Sequence, residues 1–394
     1  MSEKIKSQEE KTVEIKQKPI ELPIFTKGNI VLGQYKIIDE IARGGMNSII
    51  YKAEDTFVDK NDYFALQNKY VAIKVVTRNP SISDGEWIKF LDECVTTKRV
   101  NNLNNIVRTF QVEKINNDNT IIIVMEYVDG ISLRDHLNKH GYLSVKEATF
   151  IFEKVLIAIK ELHSFKHKII HRDLKPENIL LSHDLRQVKI IDFGISSVIE
   201  FTNNDENKIL TNEATLYGTY PYISPDVFKM ARSNDKNANN FISEQFDFFS
   251  LGIIFYEMLI GKKPFFASNY SSIEVIKLPL KFDMPIMSDI NPNITPAIEN
   301  IIFRCIASKP EDIKYRYHSV QEIINDLKNV SNTTSINEKL LKPSKDRTFQ
   351  IKNIFDTSKQ RQHEKFYQKW WFIFVILLLA LVIIIITVVI KVIY

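Results

Sequence analysis

Apolar positions along the chain keep two periods, one after the other. From Tyr35 to Met125 they come in short runs suited to strands. Tyr35-Lys36-Ile37-Ile38 and Ile49-Ile50-Tyr51-Lys52 flank a turn that carries Gly44 and Gly45, and Ile121–Val124 is a further apolar run. In Val71-Ala72-Ile73-Lys74-Val75-Val76, alternation puts Lys74 on one face with Ala72, and Val71, Ile73 and Val75 on the other. A lysine within such a strand is costly unless it is paired. Beyond Gly130 the period becomes 3.6. Ser144-x-x-Glu147 caps a helix whose Ala148, Ile151, Phe152, Val155, Ile159 and Leu162 share one face. Asp247 opens the run Phe248–Tyr256, so apolar that it belongs at the centre of a lobe, with Gly261 as its C-cap. Thr295-Pro296 starts another helix, proline at its first position.

The ends of the chain look different. Residues 1–30 carry mixed charge and little apolar periodicity, as a disordered arm does. Residues 54–69 form a polar insertion between strands. The helical period ends near Asn329, and residues 330–369 are a polar linker, basic in its second half. From Trp370 to Ile390 the only polar side chain is Thr387. At helical rise this stretch spans ~31 Å, close to the ~30 Å hydrocarbon thickness of a bilayer. Residues 370–390 are therefore expected to be a transmembrane helix, followed by a short tail, 391–394. Lys359, Arg361, Lys365 and Lys369 precede it and Lys391 alone follows, which places the preceding domain in the cytoplasm of a single-pass cell-membrane protein. The basic linker is also suited to anionic membrane lipid. A net charge of +4 over 394 residues gives no nucleic-acid character. Two distant cysteines, Cys94 and Cys305, match no metal spacing and suit buried, reduced thiols.

The chemistry collects in one stretch. His171-Arg172-Asp173-Leu174-Lys175-Pro176-Glu177-Asn178 is a charged loop between the apolar runs Ile169-Ile170 and Ile179-Leu180-Leu181, and Val188–Ile191 leads into Asp192-Phe193-Gly194. Asp173 and Asn178 lie on one loop and Asp192 closes the next strand. Two acids and an amide held this way can bind a hard cation through oxygen and leave one carboxylate to accept a proton from an attacking hydroxyl. Phosphoryl transfer needs such an arrangement, since positioning and charge neutralisation do most of its catalysis. Asp-Phe-Gly alone is a common turn tripeptide; the octet with it is far more specific.

Together these motifs resemble the protein kinase superfamily over residues 31–329, and more closely its bacterial, eukaryotic-like, membrane-anchored serine/threonine members. The resemblance implies an α+β fold of two lobes, a small β-rich one and a larger helical one, followed here by the transmembrane helix. It implies transfer of the ATP γ-phosphate to serine or threonine hydroxyls of protein substrates, with Mg2+ or Mn2+, and homodimers for trans-autophosphorylation. Asp173 is then the catalytic base, Lys175 contacts the γ-phosphate, and Asn178 and Asp192 hold the metal. Lys74 meets the α- and β-phosphates, braced by a helix glutamate. Glu86 is accounted for by the capping box Ser83-x-x-Glu86, which leaves Glu93. Ile41, Ala42, Arg43, Gly44, Gly45 and Ile49 belong to a glycine-rich nucleotide loop, with Ala72, Met125 and the backbone of Glu126 and Val128 around adenine. Two positions depart from the family pattern: Ala42 stands at the first glycine and Asn47 at the third. Ser224-Pro225-Asp226 closes an activation segment, Asp226 pairing with Arg316. Thr211 and Thr215 are its candidate phosphosites, their phosphate expected to meet a buried Arg172 guanidinium. A binding scaffold without turnover would have lost Lys74, Asp173 or Asp192, and all three are present. A small-molecule kinase would lack the long segment from Asp192 to Asp226.

Overall fold

The computed structural model describes residues 24–44, 47–58, 69–80, 82–96, 100–166, 168–192, 220–226, 244–265, 270–332 and 339–341. Alternating β-branched and aromatic residues build its first sheet. β1 (Ile30–Val31), β2 (Tyr35–Gly44), β3 (Ser48–Asp55), β4 (Tyr70–Thr77), β5 (Thr109–Ile115) and β6 (Thr120–Glu126) pair antiparallel in the order β1-β2-β3-β4-β6-β5. Its outer face buries Tyr35, Ile37, Ile49, Tyr51, Ala53, Val71, Ile73 and Val75 together. Its inner face sets Val76, Ile121 and Ile123 against Trp87, Phe90, Leu91 and Cys94 of α1 (Asp84–Thr96). Lys74 is therefore on the inner face with Ala72, as alternation requires.

The arm expected over residues 1–30 overlaps the domain. The ring of Phe25 stands edge-on to Tyr51 with centroids 5.7 Å apart, and its N–H donates to the Tyr51 hydroxyl at 3.1 Å. Gly28 N–H donates to the Ile37 carbonyl at 2.9 Å. Apolar Phe25 covers the outer face, which offsets the entropy of ordering a polar segment. Residues 1–23 lie outside the described residues.

The helical part carries a second, three-stranded sheet, β7 (Gly130–Ser132), β8 (Ile179–Ser182) and β9 (Val188–Ile190), in that order. Around it stand α2 (Leu133–His140), α3 (Val145–His163), α4 (Gln245–Ile260), α5 (Ser272–Lys281), α6 (Pro296–Ile306) and α7 (Val320–Asn332). The expected caps are in place. Ser144 accepts from Glu147 N–H, Thr295 from Ile298 N–H, and Gly261 ends α4 at φ 78°. α5 starts on a capping box of Ser271 and Glu274. Every residue of α4 from Asp247 to Ile260 is buried, so this helix is the axis of the larger core. Both cysteines are buried, and neither is in a disulfide.

The last helix runs to Asn332, and the chain after it is not wholly a free linker. Asn300 of α6 donates to the Lys339 carbonyl at 3.1 Å and accepts from Leu341 N–H at 2.9 Å. The linker expected over 330–369 thus begins with residues fixed to the domain. Among the described residues no helix is long and apolar enough to cross a membrane, and the segment 370–390 lies outside them.

α4 and α6 touch closely at Gly252. A Cβ there would stand 2.6 Å from Ile306 Cγ2 and 2.7 Å from Cys305 Cβ. Gly252→Ala should therefore push the two helices apart and lower stability by about 1–3 kcal/mol in a denaturant melt. An unchanged midpoint would show that the contact relaxes freely.

Candidate active site

The catalytic loop hangs from one buried carboxylate. Asp247, in the first turn of α4, is 0 % exposed. Its Oδ1 accepts from Arg172 N–H at 2.8 Å, and its Oδ2 from His171 N–H at 2.9 Å and His163 Nε2 at 2.8 Å. Burial alone would raise the Asp247 pKa, but these bonds and the nearby imidazoles hold it below the usual carboxylate range. The bonds support an uncommon backbone: Arg172 has φ 65°, in the left-handed region, which costs about 1–2 kcal/mol for a residue with a Cβ. His171 is fully enclosed, and burial keeps its pKa low; its ring meets the Ile191 carbonyl at 3.2 Å. The loop is thus tied to α4 on one side and to the end of β9 on the other.

This frame brings the expected residues together. Asp173 Oδ2 lies 2.9 Å from Lys175 Nζ. Asn178 donates from Nδ2 to the Asp173 carbonyl at 2.8 Å and to Oδ2 at 3.0 Å. Ile191 N–H donates to the Asn178 carbonyl at 3.0 Å, so Asp192 emerges beside Asn178. Asp192, at φ 57°, places Oδ1 2.7 Å from Lys74 Nζ of the first sheet. Lys74 was expected to be braced by Glu93. Glu93 lies within α1, its side chain outside the described residues; the described pair of Lys74 is with Asp192.

Register decides what else faces Lys74. Lys74 is directly opposite Ile123 and Ala72 opposite Met125, so Ala72 and Met125 share its face. Across β3, Lys74 is opposite Ile50, and Ile50 is opposite Ala42. Ile49, expected in the nucleotide site, packs with Tyr51 and Ala53 in the outer core, and Ile50 shares the face of Lys74. Ile41 is 47 % exposed, beside an irregularity between Glu40 and Ala42. Arg43 is exposed and pairs with Glu40 at 2.7 Å. Gly44 lies opposite Ser48, and Gly45 is outside the described residues. At the link between the parts, Glu126 N–H donates to the Arg108 carbonyl at 2.9 Å, and its carboxylate pairs with Lys189 at 2.9 Å. Val128 follows, half-buried.

Asp226 and Arg316 meet at 2.7 Å as expected, joining the end of the activation segment to the chain before α7. Thr211 and Thr215 lie outside the described residues. Arg172 is exposed, not buried: its backbone is held by Asp247 while its side chain reaches the surface. The premise of a buried guanidinium that needs a phosphate therefore fails. Sequence reasoning also missed Asp247 and His163 as site residues. The one signal was an acid at the head of an otherwise apolar helix.

Residues 62–325 match the family described as "Protein kinase domain". A serine/threonine-protein kinase of Mycoplasma genitalium is 40% identical over 344 residues, covering 83% of this chain and 87% of that one. The serine/threonine-protein kinase PrkC of Bacillus subtilis is 30% identical over 313 residues, covering 79% of this chain and 43% of its own length. Among solved structures, that of Rad53 residues 1–466 in complex with AMP-PNP is similar at a TM-score of 0.55 and 24% identity. The match covers 75% of this chain and 65% of that one, and it shows the fold alone.

Removing the Asp247 carboxylate would strand two backbone N–H groups and an imidazole in the core. Asp247→Ala should cost about 3–5 kcal/mol of unfolding free energy. A loss below about 1 kcal/mol in chemical denaturation would mean that the loop is held otherwise.

Proposed function

The chain belongs to the protein kinase family and is a protein serine/threonine kinase; from that premise we propose that it uses ATP and a divalent cation, phosphorylates proteins and its own activation segment, and works tethered to a membrane. The observation that carries the chemistry is the setting of Asp173 between Lys175 and Asn178, one strand from the Lys74–Asp192 pair.

Each group has a task. Asp173, the proposed base, takes the proton from the acceptor hydroxyl as it attacks. Lys175, 2.9 Å from it, is placed to meet the charge of the transferred phosphoryl group. Lys74 is fixed at the cleft by Asp192 and supplies a cation for the inner phosphates. The donor set suits Mg2+ or Mn2+. Asn178 spends its Nδ2 on Asp173, which leaves its amide oxygen as the ligand, and Asp192 commits Oδ1 to Lys74, which leaves Oδ2. Such a cation, when bound, neutralises charge on the phosphates. Ala42, Ile50, Ala72 and Met125 offer an apolar face for the base, with the Glu126 and Val128 backbone beside it.

The tether is supported by the apolar run 370–390 and its basic flank. The docking of residues 339–341 on Asn300 leaves 342–369 as the linker between domain and bilayer. Thr211 and Thr215 remain the proposed autophosphorylation sites, on their position in the segment shortly before Gly218 rather than on Arg172.

Asp173→Asn should lower phosphate transfer to a generic protein about 10²–10⁴-fold while nucleotide binding persists. Asp192→Asn should weaken magnesium-dependent nucleotide binding as well. Full turnover by Asp173→Asn would remove the assigned base. For the tether, protease added outside intact cells should leave residues 1–369 whole, and digestion of the catalytic domain there would reverse the proposed orientation. Mass spectrometry of the active protein should find phosphate on Thr211 or Thr215; an active chain without it would remove the autophosphorylation reading.

A further inference from the structure

Away from the phosphate groups, a second charged cluster crosses the helical part. Arg134, the second residue of α2, reaches three segments far apart in sequence. Its Nε donates to Glu177 Oε1 at 2.7 Å, its Nη1 to Glu257 Oε1 at 2.9 Å, and its Nη2 to Glu257 Oε2 at 3.2 Å. Nη2 also meets the Tyr222 hydroxyl, which donates in turn to Glu257 Oε2. Lys263 adds a cation 3.5 Å from Glu257 and 5.6 Å from the Tyr222 ring centroid. Burial pushes the Tyr222 hydroxyl well above its ordinary pKa, so it remains a donor. Burial alone would raise Glu257, but Arg134 and Lys263 hold its carboxyl low.

The three partners have different places in the reaction. Glu177 sits in the catalytic loop, between Lys175 and Asn178. Tyr222 is in the last stretch of the activation segment, four residues before Asp226, and its carbonyl accepts from Ser250 at 2.8 Å. Glu257 belongs to α4, the buried axis that also carries Asp247. Among the described residues, the Lys74–Asp192 pair shares no hydrogen bond with the cluster. A movement of Tyr222 is thus passed to the loop that bears Asp173 rather than to the Lys74–Asp192 pair.

We infer that Arg134 is a positioning residue that holds the acceptor side of this kinase in register, tying the end of the activation segment at Tyr222 to the catalytic loop at Glu177. The inference rests on the protein kinase reading and adds to it. Buried ion pairs are weak sources of stability but demanding in geometry. Only a guanidinium fork can meet both oxygens of Glu257 and still turn Nε to Glu177; an ammonium cannot. What Arg134 supplies is therefore placement of two loops, and the quantity it should change is productive binding of the protein acceptor.

The test uses the full chain, with ATP and a protein substrate varied separately. Arg134→Met keeps the side chain's length and loses the fork. It should raise the KM for the protein about tenfold and leave the KM for ATP within about twofold. Arg134→Lys, which keeps the charge, should recover less than half of that loss. Tyr222→Phe keeps the buried ring and should give the same split in smaller measure, so the idea stays testable if Arg134→Met folds poorly. Arg134→Met combined with Glu177→Gln should be little worse than Arg134→Met alone, since the Arg134–Glu177 contact is already lost in the single variant. A fall in kcat with both KM values at the wild-type level would mean a merely structural role and overturn the inference. So would an equal rise in both KM values, or a Tyr222→Phe variant with unchanged protein KM. Loss of all transfer in the wild-type chain would instead strike the kinase assignment.

Discussion

One carboxylate organises this molecule. Asp247 is buried at the head of a helix that is buried from there to Ile260, where an isolated charge would be expensive. Three donors offset that cost, and two of them are backbone N–H groups of the loop that carries Asp173. The interaction works in both directions. The loop gives a buried charge its partners, and the charge holds the loop at Arg172 in a backbone conformation it would not keep by itself. The position of Asp173 therefore depends on the packing of α4, and α4 is fixed by the whole helical core, down to the missing Cβ at Gly252.

The same helix carries a second anchor. Asp247 holds the beginning of the catalytic loop from the first turn of α4, and Glu257, near its last turn, accepts directly from the Tyr222 hydroxyl and reaches Glu177 through Arg134. Asp226 and Arg316 then pin the segment just beyond Tyr222. Ion pairs of this kind add little net stability, because desolvation consumes most of the Coulomb gain. Their effect is on geometry. They allow few arrangements of three loops that must meet an acceptor at one point.

What could be read from the sequence follows from how local each signal is. The octet from His171 to Asn178 and the strand around Lys74 are set by near neighbours, and both were legible. So were the caps at Ser144, Thr295 and Gly261, each decided within one turn. Asp247 was not, because an acid in a first helical turn is ordinary; its role comes from His163 and His171, distant in the chain. Arg172 was misjudged for the opposite reason: His171 and Leu174 near it are buried, but Arg172 itself is exposed. β5 carries no clean alternation, since it is an edge strand with scattered burial. Ile49 shows how sensitive register is. A one-residue difference in pairing moves a side chain from one face to the other, and nothing in Ile49-Ile50 tells the two apart.

The departures in the glycine-rich turn can now be understood by position. Ala42 lies in extended backbone opposite Ile50, without a positive φ, so nothing there requires glycine. Asn47 does need a left-handed backbone, at φ 53°, and asparagine is among the residues that adopt it most easily. Its carbonyl accepts from Thr77 N–H at 3.2 Å, which ties the turn to the end of β4. Ala42 thus removes conformational freedom at a position that needs no glycine, an effect of about 0.4–1 kcal/mol where a glycine is replaced without strain, and Asn47 tolerates the left-handed backbone it adopts. Less entropy is then lost when this turn is ordered against a ligand.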